Sequence, residues 1–231
     1  MTLKSTKIQS FIALSDVISL LNMTSGFLSI VSTINHDFYL ASIFMLFALM
    51  FDSVDGWVAR KINRNDELGF GKNIDSLSDV ISFAAAPGIF IYTIGTTISN
   101  SPYILTTLVS LLIFICGVLR LTRYNAIADH INFNGFIGFP IPGIAVILSA
   151  YYLTGAFDIY IALILMTIVS LFMISNFKYP KLDNKLLIGV GAILIILIIL
   201  NIPLTIDNIS IPPLILLIIT LYCLIIGLIK K

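Results

Sequence analysis

Charge is scarce in this chain. Only 11% of its 231 residues are Asp, Glu, Lys or Arg, against 58% hydrophobic residues, which excludes an ordinary soluble globular domain. A net charge of +1 leaves no basic excess for a nucleic-acid partner, and no RNA- or DNA-binding motif is present. Cysteine is almost absent: Cys116 and Cys223 both fall inside apolar runs and read as small buried hydrophobes. His36 and His130 are the only histidines, and His130, in a polar loop, is expected at the surface. The opening stretch, MTLKSTKIQSFIALSDVISLL, lacks a small-residue cleavage site after its apolar part, which argues against a removed signal peptide.

Long apolar runs are what the chain has in abundance. Measured against the roughly 20 residues that cross a bilayer, they give eight candidate spans. These lie near 15–34, 38–60, 74–97, 102–124, 138–155, 158–176, 186–202 and 210–229. All thirteen Lys and Arg residues fall at alternate ends of these spans. Lys4 and Lys7 precede the first; Arg60, Lys61, Arg64 and Lys72 separate the second and third; Arg120 and Arg123 close the fourth. Lys178, Lys181 and Lys185 lie between the sixth and seventh, and Lys230 and Lys231 end the chain. The loops near His36, Ser101, Asp158 and Asp207 carry none. The expected fold is therefore all-α, a polytopic integral membrane protein of about eight transmembrane helices with both termini cytoplasmic. Residues 1–14 are expected as a short interfacial segment, with Ile8, Phe11, Ile12 and Leu14 beside Lys4, Lys7 and Gln9.

The few acids are not scattered. Asp52 and Asp55 are three apart, Asp75 and Asp79 four apart, so each pair shares one helix face. The two helices run antiparallel if the polar segment between them stays on one side of a bilayer, and four carboxylates then converge on one small volume. A charge at the bilayer centre costs roughly 2.5–3.5 kcal/mol on insertion scales, and like charges repel besides. A divalent cation is the simplest compensation. Carboxylate oxygens without Cys or His nearby favour Mg²⁺, Mn²⁺ or Ca²⁺ over zinc. Asp66 and Glu67 belong to the polar loop and read as solvated charge, and Asp16 reads as an interfacial or packing-paired acid.

The pattern D-x-x-D-G-x-x-A-R (Asp52, Asp55, Gly56, Ala59, Arg60) followed by G-x-x-x-D-x-x-x-D (Gly71, Asp75, Asp79) resembles the signature of the CDP-alcohol phosphotransferases. Ten residues separate Arg60 from Gly71, somewhat more than that family usually has, the extra length falling in the polar loop. The resemblance implies an integral membrane enzyme that moves a phosphoalcohol group from a CDP-linked donor to a hydroxyl. It implies two divalent ions, Mg²⁺ or Mn²⁺, held by Asp52, Asp55, Asp75 and Asp79, with Asp79 also the general base. It implies a homodimer, and it places Gly56, Ala59, Arg60, Gly71 and, on the first span, Asn22 near the CDP-lipid donor. Gly71 is expected to supply a turn or close backbone approach before the third span. On this reading residues 15–176 form a six-helix catalytic core and 186–229 add two helices.

A second pattern, C-G-x-L-R-L-x-R-x-N from Cys116 to Asn125 and F-x-G-x-P-x-P from Phe136 to Pro142, resembles the phosphatidylserine synthase branch of the family. It implies L-serine as acceptor and a CDP-activated diacylglycerol or archaeol as donor. Arg120 and Arg123 are candidate partners for the serine carboxylate. Glycerol 3-phosphate or inositol phosphate is the alternative acceptor within the same chemistry. A cation transporter would instead show internal repeats or helices broken at mid-membrane.

Overall fold

The computed structural model describes residues 7–62, 68–98, 102–127, 135–180 and 185–229. Four helices are long and apolar enough to cross a membrane: α1 (Leu14–Ile34), α2 (Phe38–Ile62), α3 (Phe70–Thr97) and α4 (Tyr103–Ile127). Four shorter apolar helices follow: α5 (Pro142–Leu153), α6 (Ile159–Ile174), α7 (Lys185–Ile199) and α8 (Ile211–Ile229). The chain is an integral membrane protein. Among the described residues its apolar runs become eight helical rods, but not eight of equal reach. The run at 138–155 yields only the 12 residues of α5, because residues 135–137 form a strand and Gly138 turns the chain at φ 80 before Pro142 can start the helix. Twelve residues rise about 18 Å, against about 30 Å of hydrocarbon.

Two details differ from the sequence expectation. Helix α3 starts at Phe70, four residues before the apolar run, because Gly69 takes the left-handed conformation (φ 68) at its N-cap. Gly71 therefore lies within the first turn of α3, and the turn expected of it belongs to Gly69. The fold is also not purely helical. Strand β1 (Gly135–Ile137) pairs antiparallel with β2 (Lys178–Pro180), Phe136 opposite Tyr179. Strands β3 (Thr205–Ile206) and β4 (Ile209–Ser210) form a tight hairpin whose two central residues, Asp207 and Asn208, both have positive φ, as a type I′ turn requires. At the start of the chain, Ile8–Ser10 form a single 3₁₀ turn, and the ring of Phe11 packs on Phe70 at 5.4 Å.

Helix α1 presents a buried polar stripe, Ser15, Ser19, Asn22, Ser29 and Thr33, at successive spacings of four, three, seven and four. Small residues on one face let helix backbones approach closely where lipid offers no hydrophobic drive between helices. Ser29 Oγ donates to the Ala41 carbonyl of α2 at 2.9 Å, and Ser82 Oγ of α3 donates to the Asn22 carbonyl at 3.0 Å. At Gly26 an added Cβ would lie 2.6 Å from the Cα of Ser82. That contact is with backbone and cannot be relieved by a rotamer. Gly26→Ala is therefore expected to lower stability by about 1–3 kcal/mol, read as a lower midpoint of thermal unfolding in detergent, despite alanine's better helix propensity.

The core lies where α2, α3, α5 and α6 meet, around the fully buried Met45, Leu46, Phe83, Phe90, Ile147 and Met166. Helix α4 closes against α3. Ser110 Oγ donates to the Gly88 carbonyl at 2.6 Å, and Gly117 leaves the space occupied by Ala84. Between Asp79 and Ala86 the hydrogen-bond pattern of α3 widens to a π-helix over Val80–Ala85. Helix α8 packs on α5 and β2, where Tyr179 donates its hydroxyl to the Leu224 carbonyl at 3.1 Å and its ring fills the space left by Gly227. Burial pushes the Tyr179 hydroxyl up to about 12, so it keeps its donor proton throughout the physiological range.

Candidate active site

Three of the acids come together as their spacing predicts. Carboxylate oxygens of Asp52, Asp55 and Asp75 all lie within 4.8 Å of one another, two from α2 and one from α3. Asp79, one turn beyond Asp75, is buried beside them and shares their electrostatic field, with Asp52 its strongest acidic neighbour. This follows from the antiparallel return of α3 along α2 and from i, i+3 and i, i+4 spacing on each. Asp16 stands apart. It is buried at the N-terminus of α1, where its Oδ2 accepts from the Ala13 amide at 2.9 Å, an N-terminal cap.

Helix α1 orients the acids from the other side. Ser19 Oγ donates to Asp55 Oδ2 at 2.6 Å, and Asn22 Nδ2 donates to Asp79 Oδ1 at 3.3 Å. The other end of the Asn22 amide, Oδ1, is buried with no hydrogen-bond partner among the described residues. Buried polar atoms are normally satisfied, so an orphaned acceptor beside the acids marks a place for a donor from outside the chain. Ser19 is absent from the motif-based reading. Its signal was its place one turn before Asn22 on the same face of α1.

Arg120 of α4 supplies positive charge. Its side chain is 5% exposed, its Nε has no hydrogen-bond partner among the described residues, and its charge interacts with those of Asp79 and Asp52. Arg123 behaves differently. Nη1 donates to the Ile174 carbonyl at 3.0 Å and to Asn176 Oδ1 at 3.4 Å; Nη2 donates to the carbonyls of Ile137 at 2.9 Å and Met173 at 3.0 Å. It caps the C-terminus of α6 and ties that end to β1. A turn further along, Asn125 Nδ2 donates to Ser76 Oγ at 2.7 Å, and Lys72 Nζ donates to the Asn125 carbonyl at 3.2 Å, which lock α4 to the acidic end of α3.

Gly56 and Ala59 lie on the half-buried part of α2 beyond the first acid pair, and Gly71 on the half-buried start of α3. Arg60 falls in the last turn of α2; its side chain lies outside the described residues, as do Asp66, Glu67 and His130.

A divalent ion fits this donor set. Carboxylates this close repel one another in a largely buried volume, a repulsion that a bound cation relieves. The closest three present only hard oxygens at separations that one ion can bridge.

Comparison with known proteins places these features in a family. Residues 12–175 match the CDP-alcohol phosphatidyltransferase family. The chain is 49% identical over 186 residues to the archaetidylserine synthase of Methanothermobacter thermautotrophicus, covering 80% of this chain and 75% of that protein. It is 35% identical over 202 residues to the CDP-diacylglycerol–serine O-phosphatidyltransferase of Methanocaldococcus jannaschii, covering 85% and 88%. With the enzyme of the same name from Bacillus subtilis it shares 32% identity over 126 residues, 54% of this chain and 67% of that protein. The matched segment runs from the start of α1 to the end of α6 and so includes every helix that contributes to the acidic cluster, and the chain belongs to the CDP-alcohol phosphatidyltransferase family of membrane enzymes.

Proposed function

We propose that this enzyme transfers the phosphatidyl or archaetidyl group of a CDP-activated lipid to the hydroxyl of L-serine, releasing CMP. The observation that carries the reading is the convergence of Asp52, Asp55 and Asp75 within 4.8 Å, next to Asp79 and the buried Arg120. The names of the archaeal and bacterial relatives support serine as the acceptor.

Asp52, Asp55, Asp75 and Asp79 would hold two Mg²⁺ or Mn²⁺ ions. Bound there, the ions supply charge neutralisation for the donor pyrophosphate and for the departing CMP. Asp79 takes the proton of the serine hydroxyl as its oxygen forms a bond to the β-phosphorus. The bond from that phosphorus to the oxygen of CMP breaks, and CMP leaves with the electron pair. Asn22 keeps Asp79 in place through Nδ2 and offers its orphaned Oδ1 to the donor. Gly56 and Ala59 leave the α2 face free of bulk for the nucleotide, and Arg60 and Gly71 complete the donor side.

Arg120 receives the serine carboxylate. Arg123, paired with it in the sequence reading, already spends its donors on four oxygens. Arg120→Ala is expected to raise the KM for L-serine about 10–100-fold, the loss of one or two charge-assisted hydrogen bonds. Arg123→Ala is expected to destabilise the protein by about 1–3 kcal/mol without a serine-specific rise. Steady-state kinetics beside thermal melts separate the two, and an unchanged serine KM in Arg120→Ala removes its assignment.

The site is read as facing the cytoplasm, on the strength of the Lys and Arg distribution, which puts soluble serine and CMP on the side where the acids lie. A homodimer is part of the proposal and is checked by light scattering of the detergent-solubilised protein. The test of function is CMP release by purified protein from CDP-archaeol or CDP-diacylglycerol with Mg²⁺ or Mn²⁺. L-Serine, glycerol 3-phosphate and inositol phosphate are each added in turn. Release that depends on serine supports the proposal; release with another acceptor alone discards serine and keeps the chemistry.

A further inference from the structure

A permanent charge as buried as Arg120 needs something to hold it, and the hydrogen-bond pattern leaves its Nε unpartnered among the described residues. Two aromatic rings take that place. The guanidinium carbon lies 5.4 Å from the centre of the Tyr124 ring and 5.7 Å from that of Phe136, and the two rings are 6.0 Å apart. Tyr124 sits one turn along α4, so the helix alone brings it to Arg120. Phe136 comes from β1, and its position depends on the pairing of β1 with β2.

That strand pair is fastened at several points. Phe136 stands opposite Tyr179 in the β1–β2 pair, and the next carbonyl, of Ile137, accepts from Arg123 Nη2 at 2.9 Å. The Gly138 amide donates to the Phe177 carbonyl at 2.8 Å. On the other strand Tyr179 is held by the Leu224 carbonyl and by the Phe139 ring at 5.6 Å. The pair is anchored in the core through the buried Tyr179, while Phe136 is only half-buried at its edge. The Phe136 ring also faces Arg120, whose charge interacts with those of Asp79 and Asp52.

We propose that Phe136 is a positioning residue: its ring, fixed by the β1–β2 strand pair, holds the Arg120 guanidinium in the orientation that receives the acceptor's carboxylate. The inference rests on the serine reading above and makes the strand pair a determinant of acceptor affinity. An aromatic face attracts a guanidinium without consuming its N–H donors, so the fork stays available for a planar carboxylate. A carbonyl or carboxylate in the same place would occupy those donors.

The test compares kcat and KM for L-serine and for the CDP-lipid in the wild type, Phe136→Leu and Phe136→Tyr. Phe136→Leu is expected to raise the KM for serine about three- to twentyfold with the KM for the CDP-lipid unchanged, and Phe136→Tyr to restore it. In an Arg120→Gln background the Phe136→Leu change is expected to add nothing. Should Phe136→Leu not yield folded protein, pentafluorophenylalanine incorporated in place of Phe136 reverses the charge of the ring face at nearly constant shape and should raise the serine KM in the same way. An unchanged serine KM overturns the inference, as does a rise in both KM values that tyrosine does not rescue, or a full further rise in the Arg120→Gln background. Wild-type protein with no serine-dependent CMP release would overturn the acceptor assignment itself and this inference with it. Serine-dependent release indifferent to the ring overturns this inference alone.

Discussion

Asp79→Asn is expected to lower serine-dependent CMP release by about 10²–10⁴-fold, the range contributed by a positioned general base. The replacement is isosteric and keeps a carbonyl oxygen that can accept from Asn22 Nδ2, now 3.3 Å from Asp79 Oδ1, so the local geometry has no reason to change. What it removes is the site for the serine proton. Asp79→Glu offers a complementary check, because it keeps the base and moves it by about one bond length. A displacement of about 1 Å in a reacting group can cost 10²-fold, so this variant too should be slow, yet faster than Asp79→Asn if proton acceptance is the role. CMP release in Asp79→Asn within tenfold of the wild type would mean that the base lies elsewhere.

Chelation of divalent cations is expected to abolish CMP release, and Mg²⁺ or Mn²⁺ to restore it. The argument is electrostatic. Three carboxylates within 4.8 Å of one another repel strongly, and a divalent cation between them turns that repulsion into attraction. Asp55→Asn should weaken Mn²⁺ binding by more than the about 10–100-fold typical of an outer-shell change, as read by titration with electron paramagnetic resonance. It should do something less intuitive to stability. With one negative charge gone, the cation-free variant should melt no lower than the cation-free wild type, since Ser19 Oγ can still donate to the remaining carbonyl oxygen. Addition of Mn²⁺ should then raise its melting temperature less than that of the wild type. Equal Mn²⁺ affinity in the two proteins would remove Asp55 from the ligand set.

The acidic centre was legible in the sequence because it depends only on local spacing. Asp52 with Asp55, and Asp75 with Asp79, each declare a helix face, and two apolar runs joined by a polar loop bring the faces together. What was not legible depends on pairs distant in sequence. Nothing in G-F-I or K-Y-P, three residues each, announces that β1 and β2 pair across the whole of α5 and α6. Arg120 and Arg123 look equivalent in R-L-T-R, yet one lies in the field of the acids and the other caps α6, because the sequence does not show which element stands opposite each turn of α4. The turn expected of Gly71 falls at Gly69 for a similar reason: two glycines flanking one phenylalanine offer the same freedom, and only the observed φ distinguishes them. The cation alternation suggested eight spans, one of them at 138–155, whereas helix length also depends on where Gly138 and the prolines allow a helix to begin.

The π segment of α3 has a consequence for which changes in length this chain can accept. Each residue of a regular helix advances the side-chain direction by about 100°, and a π turn absorbs one residue beyond that count. Helix α3 is thus two screws of the same hand joined out of phase at Val80–Ala85, one screw carrying Asp75 and Asp79 and the other Phe90 and Ile91. Deleting a single residue from this stretch would give a smoother helix and a mistimed one. Either the acids would swing away from Asp52 and Asp55, or Phe90 would rotate out of its contacts with Phe38 and Tyr152. Loops between helices can gain or lose a residue with little effect; within Val80–Ala85 the chain has to keep count.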